Sequence, residues 1–140
     1  MKTLMTLGAV AALAGAGLFW AIGPRAPEAS APVESGEMVA VTVPRLSGDA
    51  VLGQRAFAAR CAACHGPNAG GLDGRGPPLI HKIYEPGHHG DAAFYLAAER
   101  GVRAHHWRFG DMPPVEGVTR AEIAALLAFV RQVQRANGIF

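Results

Sequence analysis

The two cysteines of the chain stand three positions apart, and a histidine follows the second: Cys61-Ala62-Ala63-Cys64-His65. Two thiols and an imidazole at this spacing can hold a metal, shuttle a disulfide, or take a cofactor covalently. As a simple staple the pair is weak, because closing so short a loop constrains the unfolded chain little.

Each chemistry makes a demand on the flanking sequence. A redox C-x-x-C wants a strand before it and a helix after it, whereas here a helical pattern precedes and a Gly/Pro loop follows. A structural zinc needs four ligands, and this stretch supplies three. The pentapeptide does match C-x-x-C-H, the attachment signature for c-type haem. Thiols one helical turn apart reach both vinyl groups of a porphyrin, and the imidazole projects toward the iron, which commonly takes a proximal His.

A second axial ligand must come from elsewhere in the chain. Of four methionines, Met1 and Met5 precede residue 23, Met38 lies in a Pro/Ala-rich stretch, and Met112 alone falls in the folding region. Its setting, Gly110-Asp111-Met112-Pro113-Pro114, is a loop that proline stiffens by fixing φ and removing backbone donors. A methionine filling a core gap is the bland alternative. His81, His88, His89, His105 and His106 are rival ligands, and each is also readable as a loop histidine. The His88-His89 and His105-His106 doublets suggest weak copper or zinc binding, but no third fixed ligand is evident.

These residues need elements to position them. Residues 47–65 read as one helix with Ser47 or Asp49 as N-cap, and Gly53 and Phe57 share its face. Residues 70–78 form a Gly/Pro loop. A second helix opens near Gly90 or Asp91 and stops at Gly101. The clearest helix follows Thr119, with Glu122 three positions on as a capping box and Val118 and Ile123 as a hydrophobic staple. Ile123, Leu126, Leu127 and Val130 then follow i, i+3, i+4, i+7, and Gly138 can end the run. No convincing strand appears in this region, so the domain is expected to be all-α with long loops. Loops that long usually carry function, and wrapping a cofactor accounts for them. Aromatics are 7% of the chain, so a bulky apolar cofactor would also help fill a small core.

Residues 47–136 resemble the monohaem class I cytochrome c domain. The resemblance rests on Cys61-Ala62-Ala63-Cys64-His65, on Met112-Pro113-Pro114 and on the C-terminal amphipathic helix. It implies an all-α fold of about 3–5 helices wrapped around one haem c, covalent through Cys61 and Cys64, with His65 and Met112 on the iron. Gly53 and Phe57 look like the family's first-helix contact, with Phe129 or Val130 on the partner face. Gly76-Pro77-Pro78-Leu79 looks like the family's Gly-Pro-x-Leu element. By that likeness the Pro77 carbonyl would accept a hydrogen bond from His65, and Leu79 would pack on the haem. Trp107 and Phe109 are candidates for the ring or a propionate, with no role assigned. The His105-His106-Trp107 stretch and residues 80–90 fit no general family pattern.

Residues 4–22 are uncharged after Lys2. That run is near the length of a membrane-spanning helix and longer than a usual signal core, which favours an uncleaved anchor. A signal peptide cleaved near Ala29-Ser30-Ala31 is the alternative. Either places the rest outside the cytoplasm, on the periplasmic side of a bacterial inner membrane. Residues 23–46, rich in Pro, Ala, Glu and Ser, read as a flexible tether to a domain over 47–140. A net charge of +2 argues against nucleic acid as a partner.

The expected function is one-electron transfer between redox partner proteins. His/Met ligation raises the potential, and with both axial positions filled no site is left for substrate, so a carrier is expected rather than an enzyme. The alternatives are a haem subunit of a membrane oxidase or reductase, and a haem enzyme or sensor with a labile sixth ligand.

Overall fold

A computed structural model describes residues 36–140. The expected leader over 1–22 and the first part of the expected tether lie outside the described residues. Four α-helices run in the order α1 (Asp49–Arg60), α2 (Ala62–His65), α3 (Asp91–Arg100) and α4 (Arg120–Ala136), with a 3₁₀ turn at Lys82–Tyr84. Among the described residues there are no strands, only the isolated bridges Leu72–Gly76 and Val102–Met112. The all-α expectation holds.

The amphipathic pattern of α4 does what its period implies. Ile123, Leu126, Leu127, Phe129, Val130 and Val133 are all buried. The helix starts with the expected capping box: Thr119 Oγ1 accepts from the Glu122 N–H, and Glu122 Oε2 accepts from the Thr119 N–H at 2.9 Å. At its other end the Ile139 N–H bonds the Gln134 carbonyl and the Gly138 N–H bonds the Arg135 carbonyl. With Gly138 at φ 76°, this is the Schellman arrangement that satisfies a helix's last carbonyls.

Helix α1 crosses α4 at Gly53. A Cβ there would overlap the Ala125 carbonyl oxygen, so only glycine permits the approach. One turn on, Phe57 meets Phe129 with ring centroids 5.3 Å apart. Phe129 therefore sits on the contact face expected of it, and Val130 lies in the same core.

Three expectations need correction. The N-cap of α1 is Gly48, at φ 57°, with no side-chain cap bond, rather than Ser47 or Asp49. The Ser47 backbone is committed elsewhere, giving its N–H to Gln132 Oε1 and accepting from Gln132 Nε2. The helix expected through His65 breaks at Cys61, whose φ of −120° leaves the helical range, so the CAACH turn takes its own direction.

The third correction concerns the tether. From Glu37 the chain is packed, so the folded part begins before Ser47. The Glu37 carboxylate accepts from the backbone N–H groups of Asn68 and Gly70 and from Asn68 Nδ2, at 2.8–3.0 Å. Met38 and Val39 donate to the carbonyls of Gly71 and Gly70, and Val41 is 2% exposed in the core. Met38 and Val39 thus pair with a loop and not with a strand.

Candidate functional site

Helix α2 and its N-cap Cys61 carry three of the candidate residues on one turn. The His65 and Cys64 N–H groups both return to the Cys61 carbonyl. Cys61 is half-buried and Cys64 is exposed. Burial pushes the Cys61 thiol up to about 11, with the nearby Arg60 opposing the shift, so at neutral pH Cys61 keeps its S–H.

His65 is 8% exposed. Burial holds its pKa below the usual histidine range, and its bond to Pro77 opposes that shift. Nδ1 donates to the Pro77 carbonyl at 2.9 Å. This places the proton on Nδ1 and leaves the Nε2 lone pair free for a metal.

The loop after α2 is built to deliver that carbonyl. The Gly71 N–H bonds the His65 carbonyl at 2.7 Å, and the Ala69 carbonyl accepts from both Leu79 and Ile80. A Cβ on Gly76 would press on the Cys64 carbonyl at 2.8 Å, so glycine lets the Pro77 segment lie against the cysteine turn. Gln134 Nε2 then donates to the Leu79 carbonyl at 2.9 Å, tying the loop to α4.

Met112 arrives from the connection between α3 and α4. Val102 and Met112 exchange both backbone hydrogen bonds at 2.9 Å, and Asp111 Oδ1 accepts from the Ala104 N–H. The loop between them is closed at its base and presents His105, His106, Trp107 and Phe109.

Cys61, Cys64, His65, Pro77, Leu79 and Met112 all line one cavity of about 530 Å³, well within the range of cofactor sites, ~300–1,000 Å³. Ala97, Val102, Leu126 and Val130 add apolar wall. Trp107 and Phe109 also line it and stack on each other at 5.9 Å. The buried indole N–H of Trp107 makes no well-formed hydrogen bond among the described residues. Beside it stands the Tyr84 phenol, whose pKa burial raises; the neighbouring Trp107 N–H, turned toward its oxygen, opposes that shift.

These residues fit a covalently bound porphyrin. Two thiols and an imidazole stand on one turn, a thioether stands on another segment, and the wall between is apolar.

The sequence profile of the cytochrome c family matches residues 50–134. The chain belongs to the cytochrome c family. Comparison with curated proteins and with solved structures gives no significant match. Members of the family bind covalent haem c, and in this cytochrome c domain Cys61 and Cys64 have the spacing for its two thioethers. Haem-based electron transfer follows from the family.

Several residues of this cytochrome c domain carried no signal in the sequence. Arg131 is 8% exposed and gives hydrogen bonds to Asp91 Oδ1, Gln134 Oε1 and the carbonyls of Tyr84 and His89, at 2.6–3.0 Å. Its guanidinium also lies over the Phe94 ring. Tyr84 was equally unannounced. Of the five histidines besides His65, His81 N-caps the 3₁₀ turn by accepting from the Ile83 N–H, while His88, His89, His105 and His106 gather into one cluster.

Proposed function

We propose that this cytochrome c domain is a one-electron carrier in a respiratory or similar chain on the periplasmic side of a bacterial inner membrane, with His65 and Met112 as the axial ligands. Haem supplies the redox chemistry when bound, as its iron passes between ferric and ferrous states.

The observation that carries the reading is the convergence of His65 and Met112, two iron-ligating side chains of different type, on one cavity beside the cysteine pair. His65 offers Nε2 because Pro77 holds the other nitrogen's proton. Met112 is held by a closed backbone bridge, which fixes the point from which its side chain reaches the cavity. A thioether ligand favours the reduced iron and raises the potential. With both axial positions taken, the residues have no open coordination site to offer a substrate.

Cys64 and Leu96 line the cavity and are exposed, which supports docking of redox partner proteins at this edge. Carrier contacts of this kind are small and transient. Residues 4–22 would serve as the membrane anchor if uncleaved.

The test is Met112→Ala in the haem-loaded protein. The methionine–iron absorption band of the oxidised form should vanish and the potential should fall. An oxidised spectrum identical to that of the parent would sink Met112 ligation. A spectrum unchanged in Met112→Ala but altered in His105→Gln or His106→Gln would move the ligand to that histidine.

A further inference from the structure

We propose that His88, His89 and His106, with His105 beside them, form a binding site for a divalent ion of the copper–zinc class, beside the cysteine-bound cofactor whose cavity His89, His105 and His106 also line. The sequence offers two histidine doublets sixteen or more residues apart and no third fixed ligand. The fold supplies it. The closed loop between Val102 and Met112 brings His105 and His106 against the segment that follows the 3₁₀ turn.

Each of His88, His89 and His106 offers a ring nitrogen, and these atoms lie within 4.8 Å of one another. The Nε2 atoms of His88 and His106 are 3.5 Å apart. That is long for a nitrogen–nitrogen hydrogen bond. It suits two ligands of one ion, since Zn–N bonds of about 2.0–2.1 Å at a tetrahedral angle put two nitrogens about 3.3–3.4 Å apart.

The tautomers are set for ligation. His89 Nδ1 donates to the Ile83 carbonyl at 2.7 Å, and His105 Nδ1 to the Arg103 carbonyl at 2.8 Å. Both therefore keep Nε2 as a lone-pair donor, the outer-shell arrangement that orients metal-binding imidazoles. The backbone of His89 is fixed as well, because the buried Arg131 donates to its carbonyl at 2.7 Å. The His105 ring lies 4.3 Å from His106 and 5.9 Å from His89, packed against the three. An all-imidazole donor set suits zinc and copper and gives magnesium or calcium nothing to bind.

An ion here would clamp the loop ending at Met112 onto residues 83–89. Its binding should raise the melting temperature of the protein, with the logarithm of the ion concentration once that exceeds the dissociation constant.

The test uses the full-length haem-loaded protein. Calorimetric titration with zinc chloride should show one equivalent bound. With copper(II), electron paramagnetic resonance should show splitting from three or more nitrogens. Competition between the two ions would establish that they share the site. His106→Gln and His88→Gln should each weaken binding by at least about 10-fold, the smaller loss seen even for outer-shell partners. His81→Gln, outside the cluster, should leave it unchanged, and an unaltered haem absorption spectrum shows that each variant is folded. Absence of binding by both ions, or binding that neither cluster variant weakens, overturns the proposal. So does an equal loss in His81→Gln.

Discussion

Val102 and Met112 exchange two backbone hydrogen bonds of 2.9 Å each, and Gly101 sits directly beneath the exchange. Gly101 has φ 75° and ends α3, and a Cβ on it would run into the Met112 carbonyl oxygen. A single glycine thus stops the helix and admits the Met112 segment. Gly101→Ala should strain the backbone and push the Met112 segment outward. The expected cost is more than about 1 kcal/mol, as for alanine forced to positive φ. The methionine–iron band of the oxidised protein should weaken as well. Denaturant unfolding and the visible spectrum measure the two effects. A variant that loses stability with a full-strength band would show that the bridge does not govern Met112.

The two thiols should each make their own attachment. Cys61 and Cys64 both line the cavity but differ in burial, so removing one leaves the other able to react. Cys61→Ala and Cys64→Ala should each still carry haem through one thioether. A vinyl group left unreacted stays conjugated with the porphyrin, so the pyridine haemochrome band of either variant should shift to longer wavelength. The double variant should lose covalent haem altogether, seen as a mass lower by one haem. Covalent haem surviving in the double variant would remove both cysteines from the site.

What was legible in the sequence was whatever short-range chemistry encodes. The CAACH turn, the capping box at Thr119 and Glu122, and the apolar stripe of α4 depend on residues within a few positions of each other. The Pro77 carbonyl and Phe129 came from resemblance to the family, and both sit where it implied. Glu37 was hidden for a physical reason. A glutamate in a Pro/Ala-rich stretch reads as solvated, and only the fold shows Asn68 and Gly70 turning their N–H groups toward it. The histidine cluster was hidden because its members come from two loops whose closure depends on Gly101 and the Val102–Met112 bridge. Arg131 gave no signal because its stripe position on α4 resembles any helix-surface arginine.

Arg131 is the polar hub that joins the 3₁₀ turn, α3 and α4. Its partners Tyr84 and His89 contribute carbonyl groups that have no helix to bond into. Arg131→Met keeps much of the apolar stem but leaves the His89 carbonyl and Gln134 Oε1 short of a donor, while the Tyr84 carbonyl keeps Gln134 Nε2. Buried groups left unpaired cost about 1–3 kcal/mol each, and partial access to water reduces the sum, so a loss of about 2–4 kcal/mol is expected. Thermal or denaturant unfolding of the haem-loaded protein measures it. A change below about 0.5 kcal/mol, the level of an ordinary surface substitution, would show that water replaces the guanidinium without penalty.

The acid side of stability should depend in part on Glu122. The Thr119 backbone N–H and hydroxyl donate to its carboxylate, and Arg60 Nε lies 3.1 Å away. Those donors, Thr119 first and Arg60 after, hold its pKa below the usual 4.5. A carboxylate lowered on folding releases its proton more readily in the folded state, so the unfolded chain binds more protons in the window below pH 4.5. Stability from this group is therefore complete above that pH and is lost as pH falls through the folded-state value. Glu122→Gln keeps a capping acceptor but has no charge to lose. The stability difference between parent and Glu122→Gln should be constant above about pH 5 and shrink steadily below 4.5. High salt should also reduce it, since Arg60 and Glu122 are both open to solvent. Melting curves across pH 3–7 would show this, and a difference that stays constant to pH 3 would place the acid sensitivity elsewhere.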